Sequence, residues 1–128
     1  MDGRQKVLIV DDEELAQDFL RFFLSKRFDV YTVGSVSHFY DVINKVDFDV
    51  ILMDISLRDT KDGIQLTREL RQSPKHKNIP IFVLTAFNTT KEKSNAEAAG
   101  ASKFLTKPVD SKMLVKLIDE ALASKIAS

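Results

Sequence analysis

Three carboxylates, a hydroxyl and an ammonium stand directly after short apolar runs that lie far apart in the chain. Asp11 and Asp12 follow residues 7–10, Asp54 follows 50–53, Thr85 follows 81–84, and Lys107 lies just beyond 104–105. Brought together, these groups have a coherent chemistry. Closely spaced carboxylates raise one another's pKa unless a cation compensates, and an all-oxygen set favours a hard ion such as Mg²⁺. A lysine point charge and a hydroxyl donor are what phosphate oxygens require. A carboxylate beside such an ion can attack phosphorus and become an acyl phosphate. Asp54 is the best candidate for that nucleophile, because it stands alone whereas Asp11 and Asp12 form a pair suited to holding metal. Taken singly, each residue has a plainer reading: an Asp pair caps helices, and a lone Asp, a lone Thr or a Lys-Pro dipeptide is common in loops. Their joint occurrence is the informative fact.

The elements that must position them are legible as pattern. The runs 7–10, 30–33 (with a polar Thr32), 50–53, 81–84 and 104–105 are rich in β-branched or aromatic residues and too short for buried helices. Between them apolar residues return every three or four positions. Leu15, Phe19, Phe22 and Phe23 do so first, then Phe39, Val42, Ile43 and Val46, then Ile64, Leu66 and Leu70, and finally Leu114, Leu117, Ile118, Ala121 and Leu122. This alternation predicts five strands and five helices in repeated βαβ units, an α/β fold with a parallel sheet covered on both faces. In such a sheet, reacting groups gather at the carboxyl ends of the strands, where the strand order reverses. Gly34-Ser35, Asp62-Gly63, Ser73-Pro74 and Asn78-Ile79-Pro80 punctuate the elements, and Asp110 is the expected N-cap of the last helix. Residues 89–100 carry the weakest helical pattern, since their apolar content is mostly alanine. An exposed, mobile helix is expected there.

Composition narrows the function further. With 128 residues and 44% hydrophobic content, the chain fits one ordinary domain with a core of its own. The absence of cysteine excludes thiol catalysis and cysteine-bound zinc. Nineteen basic against nineteen acidic residues argue against direct nucleic-acid binding, which usually needs a basic surplus. The first apolar run has only four residues, too short for a signal peptide or membrane span. A cytoplasmic protein without membrane contact is expected. A single domain is expected over 1–128, with its core at about 6–124 and no output domain in the chain.

In order and spacing, Val-Leu-Ile-Val-Asp-Asp at 7–12, Asp-Val-Ile-Leu-Met-Asp at 49–54, Val-Leu-Thr-Ala at 83–86, Gly-Ala-Ser-Lys-Phe-Leu at 100–105 and Thr-Lys-Pro at 106–108 resemble a known family. It is the receiver (CheY-like) domains of two-component response regulators, and the resemblance covers the whole chain. It implies a flavodoxin-like (βα)5 doubly wound sheet of strand order 2-1-3-4-5. It implies that Asp54 is the phosphoacceptor, and that Asp12, Asp54 and the backbone carbonyl of Ser56 hold Mg²⁺, with Asp11 acting largely through water. Lys107 would pair with the phosphoryl group, Thr85 would move to hydrogen-bond it, and Phe104 would turn inward on activation. The Lys107-Pro108 bond is expected to be cis.

The function so implied is a stand-alone, phosphorylation-dependent switch, not an enzyme beyond assisting its own phosphotransfer and autodephosphorylation. The phosphoryl group would come from a sensor histidine kinase or a histidine phosphotransfer protein. The face of the fourth helix, fifth strand and fifth helix, with Lys91, Glu92 and Lys93, would answer to a downstream protein target or pass the group on. Either a monomer or a phosphorylation-dependent dimer is compatible. The alternative is a receiver cut from a larger regulator or hybrid kinase. A haloacid-dehalogenase-like phosphatase fits less well, because its Asp-x-Asp motif meets Glu13 here and the chain has no room for a cap. A degenerate receiver acting as a constitutive binding module is disfavoured, because the acidic set, Thr85 and Lys107 are all present.

The sequence departs from the family at three places. Arg58 stands where a proline is common, the stretch 54–63 is one residue longer than usual, and Phe104 lacks a tyrosine hydroxyl. Ser56 and Phe87 would flank the path of the hydrolytic water, and bulky Phe87 is expected to lengthen the phosphoryl lifetime. Phe87→Glu should then speed dephosphorylation. His38 and His76 are expected on the surface, away from the chemistry. In the first helix, Leu15, Phe19 and Phe23 are expected to face the core and Phe22 to pack there as well, although related proteins use this helix to contact the histidine-bearing partner.

Overall fold

The computed structural model describes residues 4–86 and 89–127, with side chains described up to residue 124. In chain order the elements are β1 (Lys6–Val10), α1 (Glu14–Leu24), β2 (Asp29–Val33), α2 (Val36–Ile43), β3 (Val50–Asp54), α3 (Gly63–Gln72), β4 (Ile81–Thr85), α4 (Thr90–Ala99), β5 (Lys103–Thr106) and α5 (Ser111–Ala127). The strands form one parallel sheet of order β2-β1-β3-β4-β5, the order the resemblance implied.

Strand alternation divides the core into two layers. Leu8, Val10, Ile51, Met53, Ile81 and Val83 point to the side covered by α2, α3 and α4, where Phe39, Ile43, Leu66, Leu70 and Ala96 meet them. Val7, Ile9, Val50, Leu52, Phe82 and Leu84 point to the other side, against Leu20 and Leu24 of α1 and Leu114, Ile118 and Leu122 of α5. The three inner strands are buried almost throughout, which is why they read as continuous apolar runs. The edges are more polar, and β5 exposes Lys103 and Thr106.

Most punctuation acts as expected. Ser35 caps α2 by accepting from His38 N–H, and Asp110 accepts from the N–H groups of Lys112 and Met113 at the start of α5. Asp62 and Gln65 form a reciprocal capping box at α3. The weakly patterned segment forms α4, capped by Thr89 and ended by Gly100 at φ 103°. Only Ala96 and Ala99 of that helix are buried.

Two expectations fail. On α1 the buried face is Leu20 and Leu24, while Leu15, Phe19 and Phe22 are 84%, 48% and 65% exposed. At about 100° per residue these two stripes lie on different flanks of the helix, and both are apolar; the sheet and α5 accept only one. His76 is buried rather than on the surface. Its Nε2 sits 3.2 Å from the Ile43 carbonyl, which can only accept, so Nδ1 takes the hydrogen of Ser73 Oγ at 3.0 Å. It joins the end of α2 to the turn after α3 and carries no site chemistry. His38 is exposed, as expected.

Candidate functional site

Register brings the acidic residues together. Val10 pairs with Met53 and Asp54 with Leu84, so Asp11 and Asp12 leave β1 beside the carboxyl end of β3, of which Asp54 is the last residue. One carboxylate oxygen from each of Asp11, Asp12 and Asp54 lies within 4.8 Å of the others. Asp11 and Asp54 are buried and Asp12 is half-buried. Lys107 reaches across from the end of β5, its Nζ 3.0 Å from Asp11 Oδ2 and 3.5 Å from Asp54 Oδ1. Tight local geometry sets this edge: Gly63 opens α3 so close to β3 that a Cβ there would lie 2.2 Å from the Asp54 carbonyl oxygen.

The hydrogen bonds assign work to individual oxygens. Asp11 Oδ1 accepts from Glu13 N–H (2.9 Å), which leaves Oδ2 to Lys107. Asp54 Oδ1 accepts from Ser56 N–H (3.1 Å) and faces Lys107, while Oδ2 takes no hydrogen bond from the described residues. Asp12 Oδ2 accepts from both the backbone N–H and Nε of Arg58. Burial pushes the Asp54 carboxyl above the ordinary aspartate value, and the Asp11 charge adds to this against the pull of Ser56 N–H and Lys107. Burial alone would lower the Lys107 pKa, but the hydrogen bond to Asp11 and the charges of Asp54 and Asp11 outweigh it and hold the ammonium firmly charged.

A cavity of about 260 Å³ opens over these groups, lined by Asp12, Asp54, Ser56, Arg58 and Lys107 among others. An all-oxygen donor set of three convergent carboxylates fits a hard divalent cation such as Mg²⁺. Beside it, between α1 and the segment after β5, lies an apolar cavity of about 450 Å³ walled by Phe19, Leu20, Leu84 and Pro108. Its position makes the exposed flank of α1 a neighbour of the acidic cluster.

The response regulator receiver domain family model matches residues 7–119. The chain belongs to that family. This receiver is 34% identical over 121 residues to the response regulator protein PilR of Pseudomonas aeruginosa, a match that covers 94% of this chain and 26% of that protein. It therefore spans about a quarter of that relative's length. Among solved structures it is similar to the chemotaxis protein CheY4 of Vibrio cholerae, at 26% identity and TM-score 0.87, covering 94% of this chain and 100% of the other. A CheY-like receiver domain protein of Methanospirillum hungatei superposes with TM-score 0.89 over 98% of both chains at 21% identity, a likeness of fold. Receiver domains serve two-component signalling, bind Mg²⁺ at an aspartate cluster and interact with sensor kinases or phosphotransfer proteins and with targets; they are not classical enzymes.

Of the residues singled out in the sequence, Asp11, Asp12, Asp54 and Lys107 converge in the receiver, and Ser56 lines the same cavity. Thr85 is buried at the end of β4, and its hydroxyl donates to Glu92 Oε2 of α4 at 3.0 Å. Phe104 is half-buried against the α2–α4 layer. The Lys107-Pro108 bond is cis. Phe87 lies outside the described residues. Sequence reasoning missed two contacts. Glu92 stands seven positions from Thr85 and turns toward it instead of lying flat on the outer face. Arg58, noted only as a departure from the family, touches a metal-ligand candidate.

Proposed function

We propose that this receiver accepts a phosphoryl group on Asp54 and signals by the change that follows. The observation that supports this most is the meeting of Asp11, Asp12, Asp54 and Lys107 at one sheet edge, with Asp54 Oδ2 turned to no donor among the described residues. Asp54 attacks the phosphorus of a partner's phosphohistidine. An O–P bond forms, the P–N bond breaks, and the electron pair leaves with the imidazole nitrogen. The side chains of Asp12 and Asp54 and the Ser56 carbonyl, with Asp11 acting largely through water, would hold Mg²⁺, which when bound would supply charge neutralisation for the phosphoryl oxygens. Lys107 supplies the second positive charge, already aimed between Asp11 and Asp54. Ser56 N–H holds the carboxylate in place.

The switch follows from Thr85. A phosphoryl oxygen on Asp54 offers its hydroxyl a stronger acceptor than Glu92 does, so the Thr85–Glu92 bond opens and α4, with only two alanines buried, is free to shift against β5 and Phe104. The surface that faces the phosphodonor is supported by the exposed Leu15, Phe19 and Phe22 beside the apolar cavity. These residues suit a helix of a histidine-bearing partner. A downstream protein would then read the α4–β5–α5 face.

The decisive experiment incubates the protein with Mg²⁺ and acetyl phosphate and follows intact mass. One added phosphoryl group on wild type and none on Asp54→Asn is the expected result. Absence of modification on wild type, or equal modification of the variant, refutes the reading.

A further inference from the structure

The loop between β3 and α3 brings a second cation to the site. Lys107 is shared by Asp11 and Asp54, whereas Asp12 is served by Arg58, whose backbone N–H and Nε approach the same Oδ2 at 3.1 and 3.3 Å. Arg58 also lines the cavity over the acidic cluster. Each of the three carboxylates thus has a cationic neighbour within the chain. One of the two oxygens that Asp12 can offer a divalent ion is already engaged by a guanidinium.

The rest of the loop is anchored independently. Asp59 Oδ2 accepts from Val36 N–H at the start of α2 (2.9 Å), and Lys61 holds the Tyr40 hydroxyl (2.7 Å) and Glu69. The Arg58 side chain is 79% exposed. It can therefore swing away from Asp12 without unfolding the loop that carries it.

We infer that Arg58 is a resident counter-cation that competes with the divalent ion for Asp12. This rests on the reading of the cluster as an ion site. While the guanidinium is paired, it offsets the repulsion among the carboxylates; an arriving ion must displace it and also bears its repulsion. Both effects act in one direction and raise the ion concentration at which the site is ready to receive a phosphoryl group. An exposed ion pair of this kind is worth about a two- to five-fold change in affinity.

Isothermal titration of Mg²⁺ into wild type, Arg58→Ala and Arg58→Lys at low ionic strength tests this, with circular dichroism to verify that each variant is folded. Arg58→Ala is expected to bind Mg²⁺ about two- to five-fold more tightly than wild type, and Arg58→Lys, which keeps the charge, to stay near wild type. The gap between wild type and Arg58→Ala should narrow in high salt. If wild type binds the ion but Arg58→Ala binds it no more tightly, the competition is overturned and the ion site stands. If Arg58→Lys matches Arg58→Ala, charge is not the cause, and the competition is again overturned. If none of the three binds Mg²⁺, the ion-site reading falls together with it.

Discussion

Asp54 carries a charge where charge is poorly solvated. Burial raises its pKa, and the compensation comes from Lys107 and Ser56 N–H on Oδ1, with no donor on Oδ2 among the described residues. A carboxylate arranged in this way is less stable than one in water, which is what the proposed attack on phosphorus would draw on. Its position depends on Gly63, which has no room for a side chain against the Asp54 carbonyl. Gly63→Ala is expected to destabilise the fold by about 2 kcal/mol through this overlap, read by urea unfolding, and to weaken Mg²⁺ binding as the end of β3 moves. An alanine variant of wild-type stability would show that the backbone there yields freely. Both residues are legible in the sequence, but for different reasons. Asp54 announces itself as a lone carboxylate closing an apolar run, while Gly63 reads only as helix punctuation, because nothing in the sequence states how near β3 passes.

At the scale of elements, the loop from Asp54 to Asp62 is fastened at several points, to Asp12, to α2 and to Glu69 on α3. The hydrogen bonds from Val36 and Thr60 N–H hold the Asp59 carboxyl below the ordinary value of 3.8. A carboxyl with a depressed folded pKa contributes its stabilisation above the unfolded pKa and loses it as pH falls through the folded one. The Val36 amide resonance is therefore expected to shift as pH falls, with a midpoint below 3.8, as followed by NMR. A midpoint above that value would contradict the bond. The strand pattern and the caps at Ser35, Asp62 and Asp110 could be read directly, because each is a local signal of one residue type at one spacing. The facing of α1 could not, since it carries two apolar stripes and only the tertiary packing selects Leu20 and Leu24. The Thr85–Glu92 bond was hidden for a related reason: it spans a loop whose path no periodicity encodes.

For the molecule as a whole, the sheet separates two layers of helices, α1 and α5 on one side and α2, α3 and α4 on the other. No helix among the described residues is long and apolar enough to cross a membrane. The exposed aromatic flank of α1 is not loose: Phe23 meets Phe19 and Phe22 edge-on at 4.9 and 5.4 Å, and Lys26 sits over the Phe22 ring. Phe22→Ala is expected to slow phosphoryl transfer from a histidine phosphotransfer protein about ten-fold, the effect of losing one aromatic anchor, and to leave modification by acetyl phosphate unchanged. Equal rates from the protein donor would remove α1 from that encounter. The site lies at the sheet edge where both layers are in reach, yet α1 and α4 look away from each other. A donor seated on α1 and a listener seated on α4 need not take turns. On the proposed reading, a target on α4 leaves the donor's approach open, and because Thr85 ties α4 to Asp54, a target that prefers the shifted helix should raise the phosphorylated fraction at a given donor concentration.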